Sequence, residues 1–465
     1  MILLPDQVEL LDDVYSRFRE GHRTVLLQSA TGSGKSVMGS SLIKRSIGVG
    51  NVIWFVVPRK DLIRQMSETF REFGIKHSFI ASGYDYDPVA SVFIVSLQSL
   101  KSRIDKVMKP TRIVVDEVHF GGNSLDMLFD YAEIIGARVL GLSATPNRAD
   151  GVGLGKWFQT MVKGKSIRWL IDNKRLSEFR AFAPDRPDLS GVGMVGGDYN
   201  QKKLASRMSE DKVLIGNCVK HYKEYASGLL GVTFAVGVGH SQMLAEAYRA
   251  QGVMAMHMDG NTPEDERRRI ARAFAKREIT MLCNSDLLTF GYDLASASGI
   301  KGVNIQVMMD CKPTKSQPLQ LQKNGRNMRY DGDTHLFFDH GNNFAEHGLP
   351  DDEHDWSLED KVKRKGGGSG GFVEKTRTCP VCHYSQRLTP VCTNPDGCGF
   401  VFPVESRDID EIDGELKEIQ EAQRKKEQRM EVGKARTIED LHAIARQRGY
   451  AKGWVYKIAK VKGLR

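Results

Sequence analysis

The sequence predicts an α/β protein: two tandem doubly wound parallel-sheet domains, followed by a small cysteine ribbon and a helical tail. Three observations lead there. Short, mainly apolar runs alternate with longer amphipathic stretches, and this rhythm occurs twice before residue 345. Strands of a parallel sheet are buried on both faces and read as such continuous apolar runs. The composition then changes after Asp339, and four of the seven cysteines fall between Cys379 and Cys398. A length of 465 residues fits two to four domains at roughly 100–200 residues each.

In the first domain the expected strands are Thr24–Leu27, Val52–Val57, Val92–Val95, Arg112–Val115 and Val139–Leu142. In the second they are Val232–Val236, Met254–His257, Thr280–Leu282, Val303–Met308 and His335–Phe338, with helices such as Leu62–Phe73 and Pro263–Lys276 between strands. Leu170–Asn200, holding Pro184, Pro187, Gly191, Gly193, Gly196 and Gly197, reads as a connection. Asp351–Asp360 is acidic, Lys361–Lys365 basic, and Gly366–Gly371 (GGGSGG) a flexible linker. The expected division is a first α/β domain at 1–165, a connection at 166–205 and a second α/β domain at 206–345. A linker follows at 346–376, a ribbon at 377–405, and a charged helix with a basic aromatic tail at 406–465.

Apolar residues at 40% and charged residues at 27% exclude long disorder and fibrous architectures. No run approaches the ~20 apolar residues of a membrane span. Met1–Leu4 is stopped by Pro5 and Asp6, too short for a secretory signal. A soluble cytoplasmic protein with no membrane partner is expected. Lys+Arg 67 against Asp+Glu 58 gives a net charge of +9, which points to a polyanionic partner. Arg446–Arg465 holds seven Lys/Arg and no Asp/Glu, so +7 of that charge lies in the last twenty residues and 9 − 7 = +2 in the rest.

Ser29-Ala-Thr-Gly-Ser-Gly-Lys-Ser36 follows the first strand and precedes a plausible helix, Val37–Ile47, as a phosphate-binding loop requires. Thr31, Gly32, Ser33 and Gly34 form the curl that turns amides toward phosphate oxygens at a helix N-terminus. Lys35 supplies a charge for the β- and γ-phosphates of ATP, and Ser36 a hydroxyl for Mg²⁺. Ser29 replaces the first glycine of the usual pattern. Asp116-Glu-Val-His119 ends the strand Arg112–Val115, on the carboxyl side where open parallel sheets bind ligands. Asp116 suits Mg²⁺, and Glu117 suits the orientation and deprotonation of an attacking water.

With these motifs in place the chain resembles the superfamily-two helicases of DEAD/DEAH type, across both α/β domains. Leu4-Pro-Asp-Gln7 is similar to the family's adenine-reading motif, which makes Gln7 the reader. Pro58-Arg-Lys-Asp-Leu-Ile-Arg-Gln65 and Ser96-Leu-Gln-Ser99 resemble its strand-contacting motifs, implying Arg59, Gln65 and Gln98 as nucleic-acid contacts. Ser143-Ala-Thr145 matches the coupling motif; the resemblance gives Ser143, Thr145, His119 and Gln322 coupling roles. Asp286–Asp293 resembles the fifth motif, implying Gly291 and Asp293 at the nucleotide, and Gln322–Arg329 carries the glutamine, glycine and arginines of the sixth. The resemblance implies RecA-like domains. Arg326 and Arg329 then act as fingers on the γ-phosphate, a role worth roughly 10³–10⁵ in rate, and make hydrolysis conditional on cleft closure.

Cys379-Pro-Val-Cys382, Cys392 and Cys398 offer four thiolates, a set that suits tetrahedral Zn²⁺. The second pair is more widely spaced than usual and His383 is an alternative ligand; a redox dithiol with two bystanders is the other reading. Cys218, Cys283 and Cys311 lie singly in apolar contexts and read as inert thiols. The order of helicase core, His340–Gly348 segment and ribbon resembles RadD-type bacterial DNA-repair helicases and short bacteriophage helicases.

Glu411–Val432 reads as a solvated helix. Beyond it, Tyr450, Lys452, Trp454 and Lys457 interleave aromatics and cations, as a nucleic-acid grip does. The same aromatics equally suit the core of a tiny helical module. The expected function is an ATP-dependent DNA helicase or translocase in repair, recombination or replication, acting on single-stranded or branched DNA and using ATP, Mg²⁺ and Zn²⁺. An RNA helicase of the same superfamily, or an ATP-switched nucleic-acid-binding adaptor, are the alternatives.

Overall fold

The computed structural model describes residues 3–59, 61–122, 124–146, 153–184, 186–289, 292–359, 375–403, 435, 437–448 and 452–462. The chain divides into two compact units, Met1–Val401 and Phe402–Arg465.

The first sheet has strands β1 (Thr24–Gln28), β2 (Ile53–Val57), β3 (Ser78–Ile80), β4 (Val92–Ser96), β5 (Arg112–Val115), β6 (Arg138–Ser143) and β7 (Thr160–Lys163). Their order is β3-β4-β2-β5-β6-β1-β7, with every pairing parallel. Next come β8 (Phe179–Phe182) and a small antiparallel hairpin of β9 (Met194–Val195) and β10 (Asp198–Tyr199). The second sheet adds β11 (Gly231–Phe234), β12 (Ala255–Asp259), β13 (Met281–Ser285), β14 (Val307–Asp310) and β15 (His335–Asp339). Its order is β12-β13-β11-β14-β15-β8, again wholly parallel. Parallel neighbours need crossovers of a dozen or more residues. The amphipathic stretches supply them, covering both faces and burying Ile53–Val57 and Val92–Val95 completely.

The structure differs from the expected strands in an informative way. The short strands β3 and β7 were not expected, and β8 lies within the segment read as a connection yet forms an edge of the second sheet. β14 begins only at Val307, opposite the first residue of β11, Gly231, with the Gln306 amide donating to the Leu230 carbonyl at 2.8 Å just before it. Val303 and Ile305 are buried nonetheless.

The ribbon is a hairpin of β16 (Thr376–Thr378) and β17 (Ser385–Arg387). It covers the open edge of the second sheet. Phe182 forms an antiparallel bridge with Tyr384, the Ala183 amide donates to the His383 carbonyl at 3.0 Å, and Arg180 donates to Asn394 Oδ1 at 2.9 Å. Arg387 pairs with Asp351 (3.1 Å) and Asp352 (2.8 Å), both acids being buried. A bare sheet edge invites pairing with other chains, and this one is capped.

Residues 349–359, expected in a linker, run back onto the first domain. The Gly155 amide donates to the Leu358 carbonyl at 2.8 Å, and a Cβ on Gly153 would lie 2.2 Å from the same oxygen. His354 and Trp356 wall a 220 Å³ cavity together with Thr31 and Gly325. The outward connection also passes beside the phosphate loop: the Gly164 amide donates to the Gln28 carbonyl at 2.7 Å, and Leu176 packs against Gly32. The GGGSGG segment lies outside the described residues.

In the second unit, Ile438–Arg448 and Lys452–Lys462 are helices that bury Leu441, Ile444, Val455 and Ala459 between them. Thr437 Oγ1 accepts from the Asp440 amide and Asp440 accepts from the Thr437 amide, a reciprocal N-terminal cap. Glu411–Val432 lies outside the described residues. Among the described residues no helix is long and apolar enough to cross a membrane.

Candidate active site

The first sheet delivers its chemistry at the carboxyl ends of β1, β5 and β6. After β1 the chain curls through Gly32 (φ 86°) and Gly34 (φ 90°), both left-handed, into the helix Lys35–Ile47. Gly34 is favoured by its left-handed conformation, and a Cβ there would also displace the Gln7 amide, lying 2.6 Å from its Nε2. The Lys35 ammonium is buried in the curl, donating to the Ser29 and Ala30 carbonyls at 3.1 and 3.3 Å. Ser29 and Ser33 join hydroxyls at 2.7 Å. Gln7 binds the loop rather than standing free: its Nε2 donates to the Ser33 carbonyl at 2.9 Å and its Oε1 accepts from the Leu4 amide at 3.0 Å.

Asp116 Oδ1 accepts from the Glu117 amide at 3.0 Å. Burial, and then the neighbouring Glu117 charge, push the Asp116 carboxyl up to about 7 against the pull of Lys35. Glu117 adopts a left-handed conformation (φ 43°), a strained choice for a side chain of this size. Its Oε2 is buried without a hydrogen-bond partner among the described residues, 3.5 Å from His119 Nδ1.

A polar chain links the two domains behind these carboxylates. Ser143 Oγ donates to the Thr145 carbonyl at 2.6 Å and accepts from the Thr145 amide at 3.1 Å. Its contact with His119 Nδ1 at 2.8 Å is therefore one in which the imidazole donates. That leaves His119 Nε2 as an acceptor for Gln322 Nε2 of the second domain, at 3.2 Å. Burial, with Lys35 adding to it and Glu117 opposing, brings the His119 pKa down to about 4, so the ring is neutral at physiological pH.

The helix Gln317–Arg326 aims its last turn at the first domain. Arg326 lines a cleft of about 460 Å³ with Thr31, Lys35, Ser36, Asp116 and Glu117. Burial and then Arg329 bring its guanidinium down to about 10, with Asp293 and Glu117 opposing. Arg329 lines the cleft too but is paired with Asp293 at 2.7 Å. Asp293 also accepts from the Ala295 and Ser296 amides; burial raises its pKa, but Arg329 and the Ser296 amide outweigh that and hold it below the usual carboxylate range. Gly291 lies outside the described residues.

Of the expected nucleic-acid contacts, Arg59 and Gln65 line this same cleft, while Gln98 is exposed on the short helix Leu97–Leu100. Tyr450 lies outside the described residues, and the structure describes no side chain for Lys452. Lys457 is exposed, whereas Trp454 packs half-buried against the small core of the second unit, as a module of its own requires. Sequence reasoning missed one cross-domain seam. Arg64, Glu68 and Glu72, at i, i+4 and i+8 on the helix Asp61–Glu72, meet Glu264, Ser296 and Lys301 of the second domain. The i+4 spacing was visible, but the identity of the facing residues was not.

The sulfurs of Cys379, Cys382, Cys392 and Cys398 all lie within 4.8 Å of one another, and His383 is outside the cluster. Cys379–Cys398 and Cys382–Cys392 are 3.7 and 3.6 Å apart. Sulfurs at about 2.3 Å from a tetrahedral zinc would be about 3.8 Å apart, so the set fits that ion. Burial raises the Cys379 thiol, but the Cys382 and Val381 amides outweigh it and bring it down to about 7, whereas burial pushes the Cys392 thiol up to about 12.

Residues 1–148 match the family described as type III restriction enzyme, res subunit. A 51.5 kDa protein of a Lactococcus phage (isolate 7-9) is 32% identical over 387 residues, spanning 82% of this chain and 79% of its own. The putative ATP-dependent helicase IRC3 of Saccharomyces cerevisiae is 28% identical over 348 residues, spanning 70% of this chain and 49% of its own. The chain thus covers about half the length of that yeast relative. Among solved structures, the DUF1998 helicase MrfA bound to DNA superposes with a TM-score of 0.51 at 15% identity, over 72% of this chain and 48% of MrfA. The DEAD-box helicase Mss116 bound to single-stranded RNA gives 0.52 at 14%, over 72% of this chain and 69% of Mss116. At these identities the likeness is one of fold.

Proposed function

The chain belongs to the superfamily-two helicases, ATP-dependent enzymes of nucleic acid, and we propose that it is a DNA-stimulated ATPase that moves along or unwinds DNA in repair, recombination or replication. The observation that carries this reading is one cleft holding Lys35, Ser36, Asp116 and the unpartnered Glu117 oxygen on one wall and Arg326 on the other. ATP would place its β- and γ-phosphates over Lys35 and the amides that open the helix Lys35–Ile47. Ser36 and the buried Asp116 carboxylate suit Mg²⁺, which when bound neutralises charge on the phosphates.

Glu117 Oε2 is positioned to take a proton from water, since it has no hydrogen-bond partner among the described residues. Arg326, from the opposite domain, would stabilise charge on the transferring phosphoryl group. Arg329 supports the same wall through Asp293. The His119–Gln322 contact would report the state of the nucleotide site to the second domain. The four-cysteine cluster is assigned to structural Zn²⁺.

The choice of DNA is supported by the restriction-enzyme family match and by the MrfA neighbour, while Mss116 speaks for RNA. Steady-state ATPase rates with single-stranded, duplex, forked and branched DNA and with RNA decide it. DNA is expected to raise kcat at least tenfold more than RNA of equal length; equal or stronger stimulation by RNA overturns the DNA assignment, and a rate indifferent to both overturns the motor.

The basic tail is proposed as an electrostatic handle. Removing residues 435–465 should flatten the dependence of log K on log salt by about 2 to 4, at roughly 0.7 for each phosphate of a single strand that is no longer neutralised. Fluorescence anisotropy titrations at several salt concentrations measure this, and an unchanged slope assigns the tail a packing role alone.

A further inference from the structure

The helix Gln317–Arg326 is polar yet almost wholly buried: Gln320, Gln322, Lys323 and Asn324 are each at most 3% exposed. Gln322 and Arg326, four residues apart, share the face turned to the first domain. Gln320 and Lys323, three apart, share a face turned into their own domain, where they meet Asp310 at the carboxyl end of β14. Lys323 and Asp310 are both 0% exposed. The ammonium has three protons and three acceptors: both Asp310 oxygens, at 2.7 and 2.6 Å, and the Lys312 carbonyl at 3.0 Å. Asp310 also accepts from Gln320 Nε2 at 3.1 Å, Asn343 Nδ2 at 3.0 Å and the Lys312 amide at 3.2 Å.

A buried ion pair gives little net stability over well-packed apolar residues, so stability alone does not account for this one. What a fully coordinated pair does provide is a single orientation, where apolar packing tolerates several rotations of a helix about its axis. The orientation matters at this helix because a turn of it would swing Gln322 and Arg326 away from His119 and the cleft. The pair also reaches the other second-domain wall. Lys312, whose carbonyl accepts a hydrogen bond from the Lys323 ammonium, sends its own ammonium to Asp286, just after β13. Asp293, further along, is held by Arg329. The segment bearing Asp286 and Asp293 and the helix bearing Gln322 and Arg326 are therefore tied together at two places.

We propose that Lys323 and Asp310 are positioning residues for ATP hydrolysis, fixing the second domain's wall of the cleft so that Arg326 meets the transferring phosphoryl group. The proposal rests on the cleft being the ATP site.

The test is the near-isosteric neutral pair Lys323→Met with Asp310→Asn, measured by DNA-stimulated ATPase, ADP affinity, affinity for ADP with aluminium fluoride, and thermal melting. The expected result is melting near wild type, ADP affinity and KM for ATP within twofold, and kcat at least tenfold lower, with the aluminium-fluoride complex weakened in parallel. A double variant that melts normally and turns over within twofold of wild type overturns the proposal, as does a loss confined to ADP affinity. Should the pair melt early, Asp286→Asn tests the same tie at a half-exposed residue. A threefold or greater fall in kcat at constant KM is then expected, and an unchanged kcat overturns it. Glu117→Gln separates the two levels: if it retains full turnover, the cleft reading fails, whereas if it is inactive and the neutral pair is not, only the positioning proposal falls.

Discussion

Glu117→Gln should bind ATP within a few-fold of wild type yet turn it over about 10²–10⁴ times more slowly. The substitution keeps the side chain's size and the left-handed turn at φ 43°, but replaces an oxygen that can take a proton with an amide that cannot. Lys35→Ala is the contrast, because the ammonium lies inside the phosphate curl and its loss removes charge from the bound state as well as from the transition state. Equilibrium binding of a fluorescent ATP analogue beside steady-state phosphate release distinguishes the two. Unchanged turnover in Glu117→Gln would remove the base from this position. Loss of binding equal to that of Lys35→Ala would show that Glu117 holds the loop in shape instead.

Loss of the proposed zinc is expected to have the other large effect. The ribbon buries little apolar surface beyond Cys379 and Cys392, and structural zinc sites of this kind contribute about 10–16 kcal/mol of apparent folding free energy. Cys382→Ser should therefore reduce bound zinc from one per chain to none and unfold residues 375–401. Because β17, Tyr384 and the His383 carbonyl cover β8, the second sheet would then expose an edge strand, and aggregation on mild heating should follow. Metal analysis, limited proteolysis and light scattering check the three consequences. A variant that stays protease-resistant and monomeric without zinc would show that the hairpin stands on its own packing.

The phosphate loop and the Asp116–His119 turn were legible because each is local: a strand, a turn and a helix written in one short stretch. Parallel strands were legible by their apolar middles but not by their ends. Gln28, Ser96, Ser143, Asp259, Ser285, Asp310 and Asp339 close their strands on the carboxyl side. Reading by apolarity cuts the strands short at the end where the chemistry lies. The edge strands were missed for a related reason. Phe179–Phe182 and Thr160–Lys163 are half-buried four-residue segments carrying Arg180 and Lys163, and nothing in such a sequence separates an edge strand from a loop. Contacts that join distant segments, such as Arg387 with Asp351 and Asp352, leave no local pattern. The pairing of Arg329 with Asp293 rather than with the phosphate loop is of the same kind.

The return of residues 349–359 onto the first domain means the two α/β domains are joined along two separate stretches of chain, the other being the outward connection through Gly164 and Leu176. Two attachments fix a line, and the motion that strains neither is rotation about that line. Both stretches run beside the phosphate loop, so that line passes close to the loop. The seam at Arg64–Glu264 borders the same cleft, since Gln65 and Glu72 of its helix line it.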